Sequence, residues 1–129
     1  MSGQSEVLNE IVLLLKQESE AIQNIPVSEC FLKAVDFIYE KVLKEGGKVI
    51  VSGMGKAGQI AENIATTLSS TGTPAVFLHP SEAQHGDLGI ICENDILIVL
   101  SNSGKTREII ELVDLTGYSG DTDPLFRSY

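Results

Sequence analysis

The first 46 residues have the hydrophobic spacing of two amphipathic helices. Across 5–23, apolar residues recur every three or four positions on one stripe, and polar residues occupy the other side. Pro26 interrupts this pattern, and Ser28 stands at the N-cap position of a second helix, which a glycine pair ends at 46–47. We therefore expect an N-terminal helical segment, residues 1–46, that packs on the domain that follows.

Beyond residue 47, short apolar runs alternate with helical patterns. The short runs predict three strands, at 48–52, 75–78 and 95–100, and helical patterns fall at 58–70 and 106–115. The first strand is short, continuous and rich in β-branched residues, as is typical of strands buried on both faces. Strands that alternate with helices indicate a parallel sheet with right-handed crossovers. The sequence thus predicts the α/β class, as a three-layer α/β/α fold preceded by two helices.

This pattern divides the chain into three segments. The N-terminal helices (1–46) lead into a partial α/β domain (47–115), and an irregular tail (116–129) follows, rich in glycine and aspartate. With 129 residues, the chain has the length of one domain or part of one.

Charge and cysteine content narrow the possible partners. The net charge of −9 argues against nucleic acid or an acidic membrane surface as a partner. No segment has the length and apolarity of a membrane span, and the N-terminus does not have the features of a signal peptide. The two cysteines, Cys30 and Cys92, lack metal-ligand spacing and are typical of reduced thiols in a cytoplasmic protein.

Two loops carry the candidate binding chemistry. The glycine loop 53–58 follows the first predicted strand, and the serine loop 101–106 follows the third. Each is a turn from a strand into a helix. Such a turn exposes backbone N–H groups, and the N-terminus of the helix carries partial positive charge. The hydroxyls of Ser101, Ser103 and Thr106 add further donors. The two loops therefore predict an anion site, most simply for a phosphate.

Other interpretations of these loops remain open. Gly53-x-Gly55-x-x-Gly58 matches the dinucleotide fingerprint. However, the second strand ends in a histidine and a proline where a dinucleotide site has an acidic residue, and Lys56 places a cation in the loop. The serine loop resembles the end of a P-loop, but Val99 stands where that pattern requires glycine. Glycines that serve only a tight turn would look the same.

A third polar cluster lies between the second and third strands. His79, His85 and two carboxylates fall within nine residues, which suits metal binding or proton transfer as well as an ordinary surface loop. If the strand order is 2-1-3, both loops face one crevice at the carboxyl ends of the strands. Lys56 and Glu108 then converge on that crevice.

Four motifs in order carry a family resemblance. They are the stretches 53–58, 70–74, 79–89 and 101–108. Together they resemble the sugar isomerase (SIS) domain of the arabinose-5-phosphate isomerase family, over residues 5–113. That family interconverts ribulose 5-phosphate and arabinose 5-phosphate, at the start of the route to the lipopolysaccharide sugar Kdo. The resemblance implies a flavodoxin-like parallel sheet in order 2-1-3-4-5, a phosphorylated pentose as ligand, and a homo-oligomer, either dimer or tetramer.

The resemblance also implies roles for individual residues. Catalysis through an enediolate is expected to use Lys56, Glu108 and His85. Substrate contacts are expected at Gly53, Gly55, Gly72, Thr73, His79, His85, Ser101, Asn102, Ser103 and Thr106. The family requires no cofactor, and His79 matches a position that can take an inhibitory zinc ion.

The resemblance stops after Val113. The family's fourth and fifth strands, a later catalytic glutamate and a later histidine have no counterpart before Tyr129. We therefore expect an incomplete sheet and a chain with little isomerase activity. The alternatives are a non-catalytic module that binds a phosphosugar or serves assembly, and a dinucleotide-binding half-domain.

Overall fold

The computed structural model describes residues 2–116, so the predicted tail lies outside the described residues except for Thr116. The helices are α1 (Ser2–Gln23), α2 (Glu29–Ile38), α3 (Gly55–Ser70), α4 (Pro80–Ala83) and α5 (Arg107–Leu115). The strands are β1 (Val49–Gly53), β2 (Ala75–Phe77) and β3 (Ile96–Leu100). A π-helical turn (Tyr39–Lys44) continues α2, and a 3-10 turn (Asp87–Ile90) precedes β3.

The three strands form one parallel sheet in the order β2-β1-β3. Val49 of β1 is in register with Ala75 on one side and with Ile96 on the other. The predicted fold class and the 2-1-3 order are confirmed, and the predicted strand bounds differ from the observed ones by one residue at most. The short helix α4 and the π-helical and 3-10 turns were not predicted, because they are too short to show a hydrophobic period.

The central strand β1 is buried along its whole length and divides the core in two. Val49 and Val51 point to the α3 side, where they meet Ala61 and Ala65. The alternate residue Ile50 points to the other side. There it joins a second buried cluster, which consists of Ile50, Leu78, Ala83 and Leu112. Since α3 and α5 cover opposite faces, the domain has the three layers that the pattern predicts.

Two glycines bring α3 into direct contact with the end of β1. A Cβ atom on Gly58 would lie 2.6 Å from the carbonyl oxygen of Gly53, and one on Gly53 would lie 2.8 Å from the carbonyl oxygen of Ala57. Gly55 between them has φ +58°, a conformation that favours glycine. Glycine is therefore needed at positions 53 and 58 for the close packing of α3 on β1, and at position 55 for the tight turn. Together they start α3 directly at the sheet edge.

A part-buried ion pair joins the other ends of β1 and β3. The Asp95 carboxylate is 2% exposed, and its oxygens lie 2.8 Å from the backbone N of Lys48 and 2.5 Å from its Nζ. The backbone N of Cys92 also donates to it, at 2.7 Å. Burial alone would raise the pKa of Asp95, but these hydrogen bonds and the Lys48 charge outweigh it, so the pKa lies below its ordinary value.

The N-terminal helical segment packs only at its end. Ile38 and Val42 contact the core cluster on the α3 side. The residues from 3 to 29 are all exposed, including the apolar stripe of α1. Ser28 stands at the N-cap of α2 as predicted, but its side chain makes no capping hydrogen bond. The end of this segment therefore packs on the core of the domain, whereas α1 does not. The division of the chain into three segments remains a prediction.

No helix among residues 2–116 is long and apolar enough to cross a bilayer.

We predict that Asp95→Asn lowers the free energy of unfolding by about 1–3 kcal/mol at pH 7, because it removes one charge of a part-buried pair. Since the folded pKa is depressed, this stability is present above the ordinary pKa of 3.8 and is lost as pH falls through the folded value. Urea unfolding of both proteins at several pH values measures the difference.

The matched control is Glu93→Gln, which removes the same charge from an exposed side chain two residues away. We expect it to change the free energy of unfolding by less than about 0.5 kcal/mol. Equal stability of wild type and Asp95→Asn at pH 7 would show that the pair does not hold the strands together.

Candidate functional site

A cavity of about 310 Å³ lies where β1 and β3 end. It is lined by Met54, Lys56, Ala57, Leu100, Ser101, Asn102, Ser103 and Thr106. The register pairs Gly53 with Leu100, so the two loops leave the sheet side by side. The structure thus brings together five of the predicted site residues: Lys56, Ser101, Asn102, Ser103 and Thr106. Met54, Ala57 and Leu100 complete the wall. As apolar side chains, they carry no signal of binding chemistry in the sequence.

The N-termini of two helices meet at this cavity. Helix α3 begins at Gly55 and α5 at Arg107, and neither Met54 nor Thr106 at the cap positions uses its side chain to cap. The backbone N–H groups of a first helical turn have no acceptor within the helix. Both helices therefore direct unpaired donors and partial positive charge toward the same space, which is the arrangement that binds phosphate.

The serine hydroxyls are held by the backbone of their own loop. Ser101 Oγ accepts a hydrogen bond from the backbone N of Gly104 at 3.0 Å, and Ser103 Oγ accepts one from Lys105 at 3.2 Å. A hydroxyl that accepts in this way still has its own proton to donate. The donors left for an anion are therefore hydroxyl protons and first-turn amides, and the amides of Gly104 and Lys105 are already used.

Three cationic side chains lie at helix N-termini, where positive charge lowers the free energy of unfolding. Lys56 lies in the first turn of α3, and Lys105 and Arg107 lie at the start of α5. A positive side chain near a helix N-terminus is unfavourable by roughly 0.3–1 kcal/mol. Within residues 2–116, Lys56 and Lys105 make no ion pair that would offset this cost. In a chain of net charge −9, this local positive charge is what an anionic ligand needs.

The two remaining predicted catalytic residues, Glu108 and His85, do not line the cavity. Glu108 is half-buried in the first turn of α5, two residues after Thr106. His85 is exposed, in the turn that follows α4. Nothing in the structure of the chain alone tests their roles, which stay predictions of the resemblance.

Gln84, next to His85, is tied to α5. Its Nε2 donates to the carboxylate of Glu111, and Arg107 Nε donates to the other oxygen of that carboxylate at 2.6 Å. The hydrogen bond from Arg107 is the main cause that holds the pKa of Glu111 below its ordinary value. The four-residue spacing of Arg107 and Glu111 is a sequence signal for their pair, whereas Gln84 gives no such signal.

His79 and the pair of Gly72 and Thr73 lie elsewhere on the domain. His79 follows β2 and caps α4, with its Nδ1 accepting from the backbone N of Ser81 at 3.3 Å. Gly72 and Thr73 connect α3 to β2 at the edge where the strands begin, opposite the cavity. This fold therefore does not bring Gly72 and Thr73 to the cavity, and their substrate contacts stay predictions.

The zinc prediction at His79 finds no support in the ligand set. No group of three or more His, Cys, Asp or Glu side chains in the described part of the chain could hold a metal ion. Zinc in proteins usually has at least three such ligands. A zinc ion at His79 would thus need ligands from outside residues 2–116.

A second, larger cavity of about 440 Å³ lies at the edge where the strands begin. It is lined by residues 46–48 and 92–95 together with Pro74. Its Lys48 and Asp95 already pair with each other, and its remaining charged residue, Glu93, is an anion that would repel a phosphate. We therefore place the candidate site at the smaller cavity, where serine hydroxyl protons and first-turn amides can donate to an anion.

Comparison with known proteins gives the family of the domain. The sequence profile of the SIS domain matches residues 42–117, more than half of the chain. The arabinose 5-phosphate isomerase KdsD of Pseudomonas aeruginosa is 43% identical over 107 residues, which are 81% of this chain and 32% of that protein. The arabinose 5-phosphate isomerase KpsF of Escherichia coli O6:H1 is 47% identical over 77% of this chain and 30% of its own length. The chain thus spans about a third of these curated relatives.

Solved structures share the fold at substantial identity. A Bacteroides fragilis protein, described as a phosphosugar isomerase involved in capsule formation, has a TM-score of 0.84 and 56% identity, over 91% of this chain and 62% of its own. The protein c3406 of E. coli CFT073, solved in complex with arabinose 5-phosphate, has a TM-score of 0.77 and 35% identity, over 90% of this chain and 61% of its own. On the profile and the fold, the chain belongs to the SIS domain family.

Proposed function

We propose that the cavity between the two loops binds the phosphate group of a phosphorylated pentose, and that this site serves the isomerisation of arabinose 5-phosphate and ribulose 5-phosphate. The observation that carries the proposal is the meeting of two helix N-termini with Lys56 at one hydroxyl-lined cavity in an acidic chain. The c3406 complex with arabinose 5-phosphate supports the choice of ligand. A volume of about 310 Å³ is at the lower end for small-molecule sites and suits a compact sugar phosphate.

The proposed reaction gives a catalytic role to each of three residues. Aldose–ketose isomerisation moves a proton between C1 and C2 of the sugar through an enediolate. Glu108 would act as the base that moves the proton, since a carboxylate is a suitable acceptor at neutral pH. Lys56 would stabilise the negative charge that develops on the enediolate oxygen. His85 would transfer a proton to or from the sugar oxygens.

A non-catalytic binding module is the second candidate. The specific observation in its favour is that Glu108 and His85 stand outside the cavity lining, whereas the phosphate donors line it. A chain that binds arabinose 5-phosphate without turnover would match this arrangement. A dinucleotide would compete poorly, since β2 is followed by His79 and Pro80 and not by an acidic residue.

The cellular setting is part of the same proposal. We place the protein in the cytoplasm, in the synthesis of Kdo for lipopolysaccharide, as a homo-oligomer. The two free thiols, Cys30 and Cys92, are compatible with a reducing compartment. The exposed apolar stripe of α1 is a surface that a second copy could cover.

We predict that the chain binds arabinose 5-phosphate and that Lys56→Ala weakens this binding about 10- to 100-fold, because it removes a charge-assisted contact to the ligand. Isothermal titration calorimetry measures both affinities. Lys33→Ala is the control, since it removes the same charge from an exposed position on α2 and should leave the affinity unchanged. Tighter binding of NAD than of arabinose 5-phosphate would favour the dinucleotide interpretation.

We predict that Glu108→Gln, made in a full-length version that includes the family's fourth and fifth strands, lowers kcat for ribulose 5-phosphate by about 100- to 10,000-fold, because the base is lost. The affinity for the sugar phosphate should stay within a few-fold. A coupled assay of the full-length version, of its variant and of this chain measures turnover. Glu62→Gln, on the exposed side of α3, is the matched control. Unchanged turnover in Glu108→Gln would remove this residue from the mechanism, and binding without any turnover would favour the binding module.

We predict that the chain is oligomeric and that Leu8→Glu with Leu15→Glu lowers its mass in solution, since both side chains are more than 60% exposed on the α1 stripe. Size-exclusion chromatography with light scattering measures the mass. Lys16→Glu changes charge on the polar side of the same helix and should leave the mass unchanged. A monomeric wild-type chain would refute the oligomer.

A further inference from the structure

The carboxylate of Glu111 links helix α5 to a turn that lies 27 residues earlier in the sequence. Glu111 on α5 accepts from Gln84 Nε2 through one oxygen and from Arg107 Nε, at 2.6 Å, through the other. The Arg107 contact is a spacing of four residues within one helix. The Gln84 contact is different in kind, because it joins α5 to the turn that follows α4.

An apolar contact lies beneath this hydrogen bond. Ala83 at the end of α4 is 1% exposed and belongs to the same buried cluster as Leu112, which is fully buried on α5. The polar link from Gln84 to Glu111 thus continues a contact that already seats α4 on α5. It extends that contact to the exposed part of the turn, where residues 84–86 have no buried side chain.

The two ends of the link adjoin the two predicted catalytic residues that stand outside the cavity lining. Gln84 immediately precedes His85, whose backbone N donates to the carbonyl of Glu82 at 2.9 Å. Glu111 lies three residues after Glu108, one helical turn further along α5. Gly86 follows His85 with φ +125°, so the chain can turn away freely after the histidine.

We propose that Glu111 and Gln84 are positioning residues, which hold the turn that carries His85 against the helix that carries Glu108. This inference rests on the proposed function, because it gives the link a purpose in sugar-phosphate binding. Neither residue touches the substrate in this proposal. Each acts through His85.

A contribution to folding stability does not by itself explain the two hydrogen bonds that Glu111 accepts. Arg107 is 86% exposed, and an exposed ion pair of this kind contributes little to folding. The hydrogen bond from Gln84 joins α5 to a turn whose residues, 84–86, are all exposed. The expected effect of breaking the link is therefore on the position of His85 rather than on global unfolding.

The test uses the two histidines of the chain as internal probes. Imidazole NMR resonances are recorded for the ligand-free wild type and for Gln84→Ala and Glu111→Ala. We expect both variants to shift the His85 resonances and to speed amide exchange at residues 84–86. The resonances of His79, which is fixed by its own contact to Ser81, should stay unchanged.

Two further variants separate positioning from a general loss of charge. Arg107→Ala removes the ion pair but keeps the Gln84 contact, so His85 should not shift. Glu111→Gln keeps an oxygen that can accept from Gln84 and should restore the wild-type His85 resonances. Identical His85 resonances in wild type, Gln84→Ala and Glu111→Ala would overturn the proposal, as would an equal shift in Arg107→Ala.

Binding of arabinose 5-phosphate supplies the second readout. We expect Gln84→Ala and Glu111→Ala to bind it about three- to tenfold more weakly, which is the effect of losing roughly one hydrogen bond between His85 and the sugar, and we expect Glu111→Gln to bind it like wild type. If wild type does not bind the sugar phosphate, the proposed function fails, whereas the His85 resonances still decide whether the link positions the turn. Unchanged affinity in Gln84→Ala and Glu111→Ala would contradict the inference even where wild type binds.

Discussion

The parallel pairing of β1 with β3 is the constraint on which the rest of the structure depends. At one edge the Asp95 carboxylate binds both the backbone and the ammonium group of Lys48, which fixes where the two strands begin. A side chain at Gly47 would place its Cβ 2.0 Å from the carbonyl oxygen of Asn94, so the chain is closely packed there as well. With the start fixed and the strands equal in length, both strands end at the same level and deliver two loops to one cavity.

The same constraint sets the electrostatics of the site. β1 leads into α3 after one residue, and β3 leads into α5 through the serine loop, so two helix N-termini are brought to one cavity. Lys56 adds a full charge there. Gly53 and Gly58 allow this because their missing side chains let α3 start against the strand. Cations at helix N-termini reduce stability in the free protein. An anionic ligand would reverse that cost, which is why the site is better understood as a binding site than as a structural feature.

The elements of the domain and the cavity could be predicted from the sequence because they depend on local patterns. The apolar run of β1, the helical spacing of α3 and the order of the two loops are all visible in the residues. What could not be predicted depends on contacts between distant residues. The amphipathic pattern of α1 indicates an apolar face but not what covers it, and that face is exposed in this chain. The link from Gln84 to Glu111 and the distance of Thr73 from the cavity both follow from how the crossovers pack.

The central claim is that the cavity at the carboxyl ends of β1 and β3 receives the phosphate of a phosphorylated pentose. An amide correlation NMR spectrum of the chain, titrated with arabinose 5-phosphate, tests it most directly. We expect the largest shifts at residues 55–57, in the first turn of α3, and at residues 101–108, in the serine loop and the start of α5. Shifts centred on residues 46–48 and 92–95, around the larger cavity at the opposite edge, would contradict it.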